Sequence, residues 1–141
     1  MPERIRSTRP AAARIFAGLG GEFPDLDESN LHAYRKRLKQ ALYLAEISSA
    51  ADPTARRLAA ALRKIRDASG EWHDWHALAE EAGRILSLHG KKGSLVPVLE
   101  ARAERALDKA LLLCRSTQSG SLAARKKTAN RPASARRVLG P

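Results

Sequence analysis

Apolar residues recur along this chain at helical spacing and nowhere alternate as a half-buried strand would, so the pattern predicts helices throughout. Leu31, Tyr34, Leu38, Leu42 and Ala45 form one stripe of a helix from about Ser29 to Ala50. The acidic, capping-rich run Asp25, Asp27, Glu28, Ser29, Asn30 suits the positive end of that helix. Asp52 followed by Pro53 is a strong start signal for a second helix, expected to run to about Ser69 with Ala55, Leu58, Ala61, Leu62, Ile65 and Ser69 as its apolar row. Gly70 then reads as an interruption. A third helix is expected to about His89, with Trp75, Leu78, Ala79, Ala82, Ile85 and Leu86 facing the core. The Gly90-Lys91-Lys92-Gly93 turn leads to a fourth helix from about Ser94 to Ser116, buried along Val96, Leu99, Ala103, Leu107, Ala110 and Cys114. Ahead of these, Ala11 to Leu19 predicts a short helix stopped by Gly20 and Gly21, too short to be stable alone.

The fold class that follows is all-α, an antiparallel bundle of about four long helices. Its expected parts are an N-terminal segment over 1–27, a four-helix domain over 28–117 and a disordered basic tail over 118–141. With 141 residues there is room for one ordinary domain. The tail carries six basic residues and no acidic one among Ser, Gly, Ala and Pro.

Charge changes the picture more than composition does. The formal net charge is +11, which points to a polyanionic partner and says nothing of the fold. The lone Cys114 excludes an internal disulfide and sits among leucines, where a buried thiol is the ordinary reading. No fully apolar run exceeds the five residues of Ala110 to Cys114, too short to span a bilayer, and a cytoplasmic location is the expectation.

The basic residues are not distributed alike. On the second and third predicted helices they find partners at helical spacing: Asp52 with Arg56, Arg63 and Lys64 with Asp67, Glu80 and Glu81 with Arg84. On the first, His32, Arg35, Lys36, Lys39 and Tyr43 share a face roughly 120° from the apolar stripe, and within Leu31 to Glu46 no acidic residue lies at i±3 or i±4 of the cations. Such a row is self-repulsive by a few tenths of a kcal/mol per pair, about what an outside anion would relieve. Arg102, Arg105 and Lys109 make a second one-signed flank, with Glu100, Glu104 and Asp108 on the other side of the fourth helix.

The stretch LHAYRKRLKQALY, followed after one turn by LRKIRDASGEWHDWHAL, resembles the conserved histidine α-helical domain, abbreviated CHAD. His32, Arg35, Lys36, Lys39 and Tyr43 fit its first motif, with Leu42 where an Arg is usual. Asp67, Gly70 and Asp74 fit the second, with Arg66 in place of a Gln. The likeness covers about Leu31 to Leu78. It implies a helical bundle with a basic channel that binds inorganic polyphosphate without chemistry of its own, sometimes beside a triphosphate-metabolising enzyme or at polyphosphate granules. Family members usually hold two four-helix halves. This chain resembles one, which implies a homodimer or a second CHAD half from elsewhere.

Polyphosphate offers charge and no base edges or aromatic faces, so a row of Arg, Lys and His suffices to hold it. The expected polyphosphate-binding residues are therefore His32, Arg35, Lys36, Lys39 and Tyr43, with Arg102, Arg105 and Lys109 as a secondary set. A nucleic-acid binder acting through the tail is the alternative, as is a structural helical module that docks to a partner protein. No catalytic residue, cofactor, membrane partner or metal is expected. His73 and His76 flank Asp74 without the spacing of a zinc helix, and Asp74 reads as a helix cap. Trp72 and Trp75 read as core anchors.

Overall fold

A computed structural model describes residues 8–90 and 93–129, with side chains described as far as residue 120. Among the described residues four helices carry the fold: α1 (Thr8–Glu22), α2 (Glu28–Ser49), α3 (Pro53–Leu88) and α4 (Leu95–Ala129). Among the described residues there is no strand. The all-α expectation holds, and no helix is long and apolar enough to cross a membrane among the described residues.

The starts of α2 and α3 are capped as the sequence suggests. The Asp27 carboxylate accepts from the Ser29 amide at 2.8 Å, and the Asn30 side chain accepts from the Asp27 amide at 2.8 Å, closing a capping box. The hydrogen bond from the Ser29 hydroxyl is the main reason the Asp27 carboxyl is held below its ordinary pKa. Asp52 accepts from the amides of Thr54 and Ala55, with Pro53 at the first helical position.

The expected second and third helices are one. α3 runs 36 residues through Gly70, and Asp74 lies in its middle, exposed, rather than capping an end. A glycine inside a helix costs about 0.5–1 kcal/mol relative to Ala, a penalty that packing on both sides outweighs. Gly20 and Gly21 likewise lie inside α1 instead of ending it. Among the described residues the glycine with positive φ is Gly90, at 64°, just past the end of α3.

The core is a single cluster to which all four helices contribute, from Ala12, Phe16 and Leu19 of α1 to Ala110 and Cys114 of α4. The α2 stripe Leu31, Tyr34, Leu38, Leu42 and Ala45 is buried as expected, each leucine contributing about 2 kcal/mol of transfer free energy. α1 therefore belongs to the same packed unit as the later helices. α4 continues past Ser116, and Gln118, expected to open a disordered tail, is buried. Its Nε2 donates to the Phe16 carbonyl and to the Tyr34 hydroxyl, both at 3.1 Å. Residues 130–141 of the expected tail lie outside the described residues. Burial also pushes the Cys114 thiol up to about 11, and raises the Tyr34 phenol.

α3 and α4 are antiparallel, with Lys109 beside Glu71, Arg102 over Trp75, and Gly93 near Leu86. At 1.5 Å per residue α3 is about 54 Å long and α2 about 33 Å, so the α3–α4 hairpin projects beyond the start of α2. That explains a departure from the expected core. Leu78 and Ile85 are 49% and 42% exposed, joined at the hairpin end by Leu88, Leu95 and Val98.

Pairing also differs from the local expectation. Asp52 meets Arg9 of α1, Arg63 meets Glu46 of α2 at 3.1 Å, and Asp67 meets Arg66. Arg56 turns back to the Ser49 carbonyl. The Glu81–Arg84 pair forms as expected, holding the Glu81 carboxyl below its ordinary pKa, while Glu80 goes to His76.

Candidate polyanion-binding groove

The basic face of α2 lies along α3. Arg35, half-buried, donates from Nε to the Ser69 hydroxyl at 3.0 Å, and that hydroxyl is fixed in turn by donating to the Ile65 carbonyl at 2.8 Å. Ser69 is fully buried. A side chain on Gly70 would place its first carbon 3.5 Å from Arg35 Nη2, so the guanidinium lies against the α3 backbone. One bond, to a hydroxyl that is itself fixed, thus holds an arginine that would otherwise sample many rotamers.

Next to Arg35 and one helical turn beyond it, Lys36 and Lys39 are exposed and make no ion pair or hydrogen bond with any described residue. Tyr43 is 72% exposed, so its ring does not pack and its hydroxyl is free to donate. His32 is exposed and stacks on His73 of α3, ring centroids 6.1 Å apart and planes inclined by 24°.

Two carboxylates bracket this face. At 100° per residue Glu28 and Glu46 project on the same side of α2 as Arg35, one at each end. Both are engaged across the groove, Glu28 with His76 at 3.5 Å and Glu46 with Arg63. The antiparallel register set by the Glu28–His76, His32–His73 and Arg35–Ser69 contacts puts Lys39 at the level of Arg66, whose guanidinium also holds Asp67. The groove is therefore cationic along its middle, with a carboxylate at each end already engaged across it.

The opposite wall comes from residues that sequence reasoning did not place in the site: Arg66, Ser69 and His73. A serine inside an apolar row was the available signal, since a buried hydroxyl needs a partner. What that partner is depends on a neighbouring helix.

Arg102, Arg105 and Lys109 do not join this groove. They line a shallow cavity of about 200 Å³ with Glu71, Trp75 and Ala106, between α3 and α4. Glu71 and Trp75 lie roughly 160° around α3 from His73, on its far side. Arg102 sits 5.0 Å above the Trp75 ring, a cation–π contact, and Lys109 Nζ is 4.0 Å from Glu71. Two of the three cations already have partners within the chain.

Trp72 is buried as expected and stacks on His76 at 5.6 Å, whereas Trp75 is half-buried and carries Arg102. His76 is committed to Glu28 and to Glu80, the latter at 3.2 Å. Among the described residues no group of three or more His, Cys, Asp or Glu is arranged to hold a metal ion.

The CHAD domain family model matches residues 2–83, more than half of the chain, and the chain belongs to that family. The match takes in α1, α2 and most of α3, reaching further toward the N-terminus than the two motifs alone. No curated protein and no solved structure matches the chain.

Proposed function

We propose that this CHAD-domain protein binds inorganic polyphosphate without catalysis, along the α2–α3 groove. The observation that carries the reading is the pairing of Lys36 and Lys39, exposed and unpartnered among the described residues, with an Arg35 already fixed beside them. An anion entering there relieves like-charge repulsion and costs little side-chain ordering at Arg35. Arg35 presents its remaining guanidinium donors, Lys36 and Lys39 act as compact charges, and His32 and Tyr43 extend the row at either end. The cavity around Arg102, Arg105 and Lys109 is a weaker, separate candidate, because Glu71 and Trp75 occupy part of its charge.

A groove of this kind tracks one strand of phosphates. A second copy of the chain, or a second CHAD half, would lengthen the track. A triphosphate-metabolising partner and a cytoplasmic, granule-associated location accompany the reading as parts of the same proposal.

Competition separates polyphosphate from nucleic acid. Long-chain polyphosphate and DNA are titrated against each other on the full chain and on a chain lacking residues 121–141, a cut that leaves the buried Gln118 in place. Polyphosphate is expected to displace DNA and to bind the shortened chain with little loss. Loss of all polyanion binding with the tail, and no preference for polyphosphate, would establish the nucleic-acid alternative instead.

A further inference from the structure

Two exposed imidazoles from different helices, His32 and His73, face one another at the edge of the groove with their rings nearly parallel and 6.1 Å apart. We infer that His32 and His73 form a proton-coupled phosphate clamp, in which His73 is a binding residue contributed by α3 and the pair gains protons as the anion arrives. The inference rests on the reading of this groove as a polyphosphate site and adds to it a second wall and a pH dependence.

The charged neighbours decide the behaviour of the pair. On α2 these are Arg35 and Lys36, both cationic, and Glu28, one turn before His32. On α3 they are Arg66, two turns before His73, and His76, one turn after it, with Asp74 next to His73 in sequence. Glu28 is turned to His76, 3.5 Å away, and His76 also faces Glu80 at 3.2 Å, so those carboxylates serve the third histidine. Trp72 contributes a ring edge against His73, with centroids 6.3 Å apart, and no charge. α4 packs on the far side of α3, and α1 meets α2 through Glu22 and Arg37.

The nearest charged neighbours of the pair on α2, Arg35 and Lys36, make the local field positive in the free protein. A phosphate chain brought to the same place reverses the sign of that local field. Each imidazole then becomes a charged donor to phosphate oxygen, since both ring nitrogens of a protonated histidine donate. Protons enter with the ligand. By linkage, the affinity rises as pH falls through the histidine range, by up to about tenfold per pH unit for each proton taken up. The adjacent lysines and arginine keep their charge throughout, so binding persists above that range at a lower affinity.

Calorimetric titration of the full chain with long-chain polyphosphate, at about pH 6 and about pH 8 in buffers of different ionisation enthalpy, counts the protons directly. The expected result is net uptake near neutral pH and tighter binding at the lower pH. Uptake should be reduced in H32Q and in H73Q and fall to the ligand's own contribution in the double variant, while H76Q keeps it. The terminal phosphates of the ligand also titrate, and the double variant measures their share. Polyphosphate binding with unchanged proton uptake in the double variant would overturn the clamp and leave the groove assignment standing. Absence of polyphosphate binding at both pH values would overturn the groove assignment, and the clamp with it.

Discussion

The Arg35 side chain of α2 is held by Ser69 of α3, Nε to Oγ at 3.0 Å, and this bond joins the candidate site to the core. Ser69 is fully buried and spends its own proton on the Ile65 carbonyl, which leaves its oxygen lone pairs facing the guanidinium. Replacing Ser69 with Ala removes the acceptor while keeping the helix. The expected outcome is a stability loss of about 1 kcal/mol and a several-fold weaker affinity for polyphosphate through a less ordered Arg35. Chemical denaturation and a binding titration read the two effects separately. Unchanged affinity would mean that the Arg35–Ser69 bond does not position the cation.

Gly70 distinguishes one long helix from two. In a continuous α3 its replacement by Ala gains about 0.5–1 kcal/mol of helix stability, and the added carbon meets Arg35 Nη2 at 3.5 Å, an ordinary contact. Gly70→Ala should therefore raise the thermal midpoint slightly. A clear loss of stability would point to a left-handed turn at that position and to two separate helices.

Gln118 locates the true end of the packed unit. Truncation after Ser116 removes the donor to both the Phe16 carbonyl and the Tyr34 hydroxyl, at a cost of about 1–3 kcal/mol. Truncation after Gly120 should be nearly neutral. Equal stability of the two shortened chains would return residues from Gln118 onward to the tail.

The buried thiol gives the protein an alkaline weakness. Cys114 stays protonated in the folded chain up to about 11, whereas in the unfolded chain it ionises near its model-peptide value of 9.0. Between those values the unfolded state binds fewer protons, so stability falls as pH rises above about 9. The raised Tyr34 phenol acts in the same direction at still higher pH. Denaturant midpoints measured at neutral pH and through the alkaline range should decline. A flat profile would mean that the thiol is not buried in solution.

Helix positions and the α2 core stripe were legible in the sequence because caps and the 3.6-residue period are local signals. Gly70 was not, since whether a glycine ends a helix depends on what packs around it. The same limit explains the ion pairs: spacing rules see Arg63 with Asp67, but Glu46 reaches Arg63 from another helix. Leu78 and Ile85 carry the period of a core stripe, yet periodicity does not report whether a further helix lies opposite, and α2 starts too late to cover them. Of the candidate site, the cationic row on α2 was readable and the α3 wall was not. His73 belongs to the groove only through the register of two antiparallel helices.

A polyphosphate site on the middle of α2 would set the salt dependence of binding apart in the parent chain and in the R35A/K36A/K39A variant. Counterion release makes affinity for a polyanion fall steeply with salt, each lost contact flattening the log–log slope by roughly 0.7–0.9 if polyphosphate behaves as nucleic acid does. Such a site predicts a slope shallower by about two or more and loss of binding near physiological salt in a variant that remains folded. The same affinity and the same slope in both proteins would contradict it.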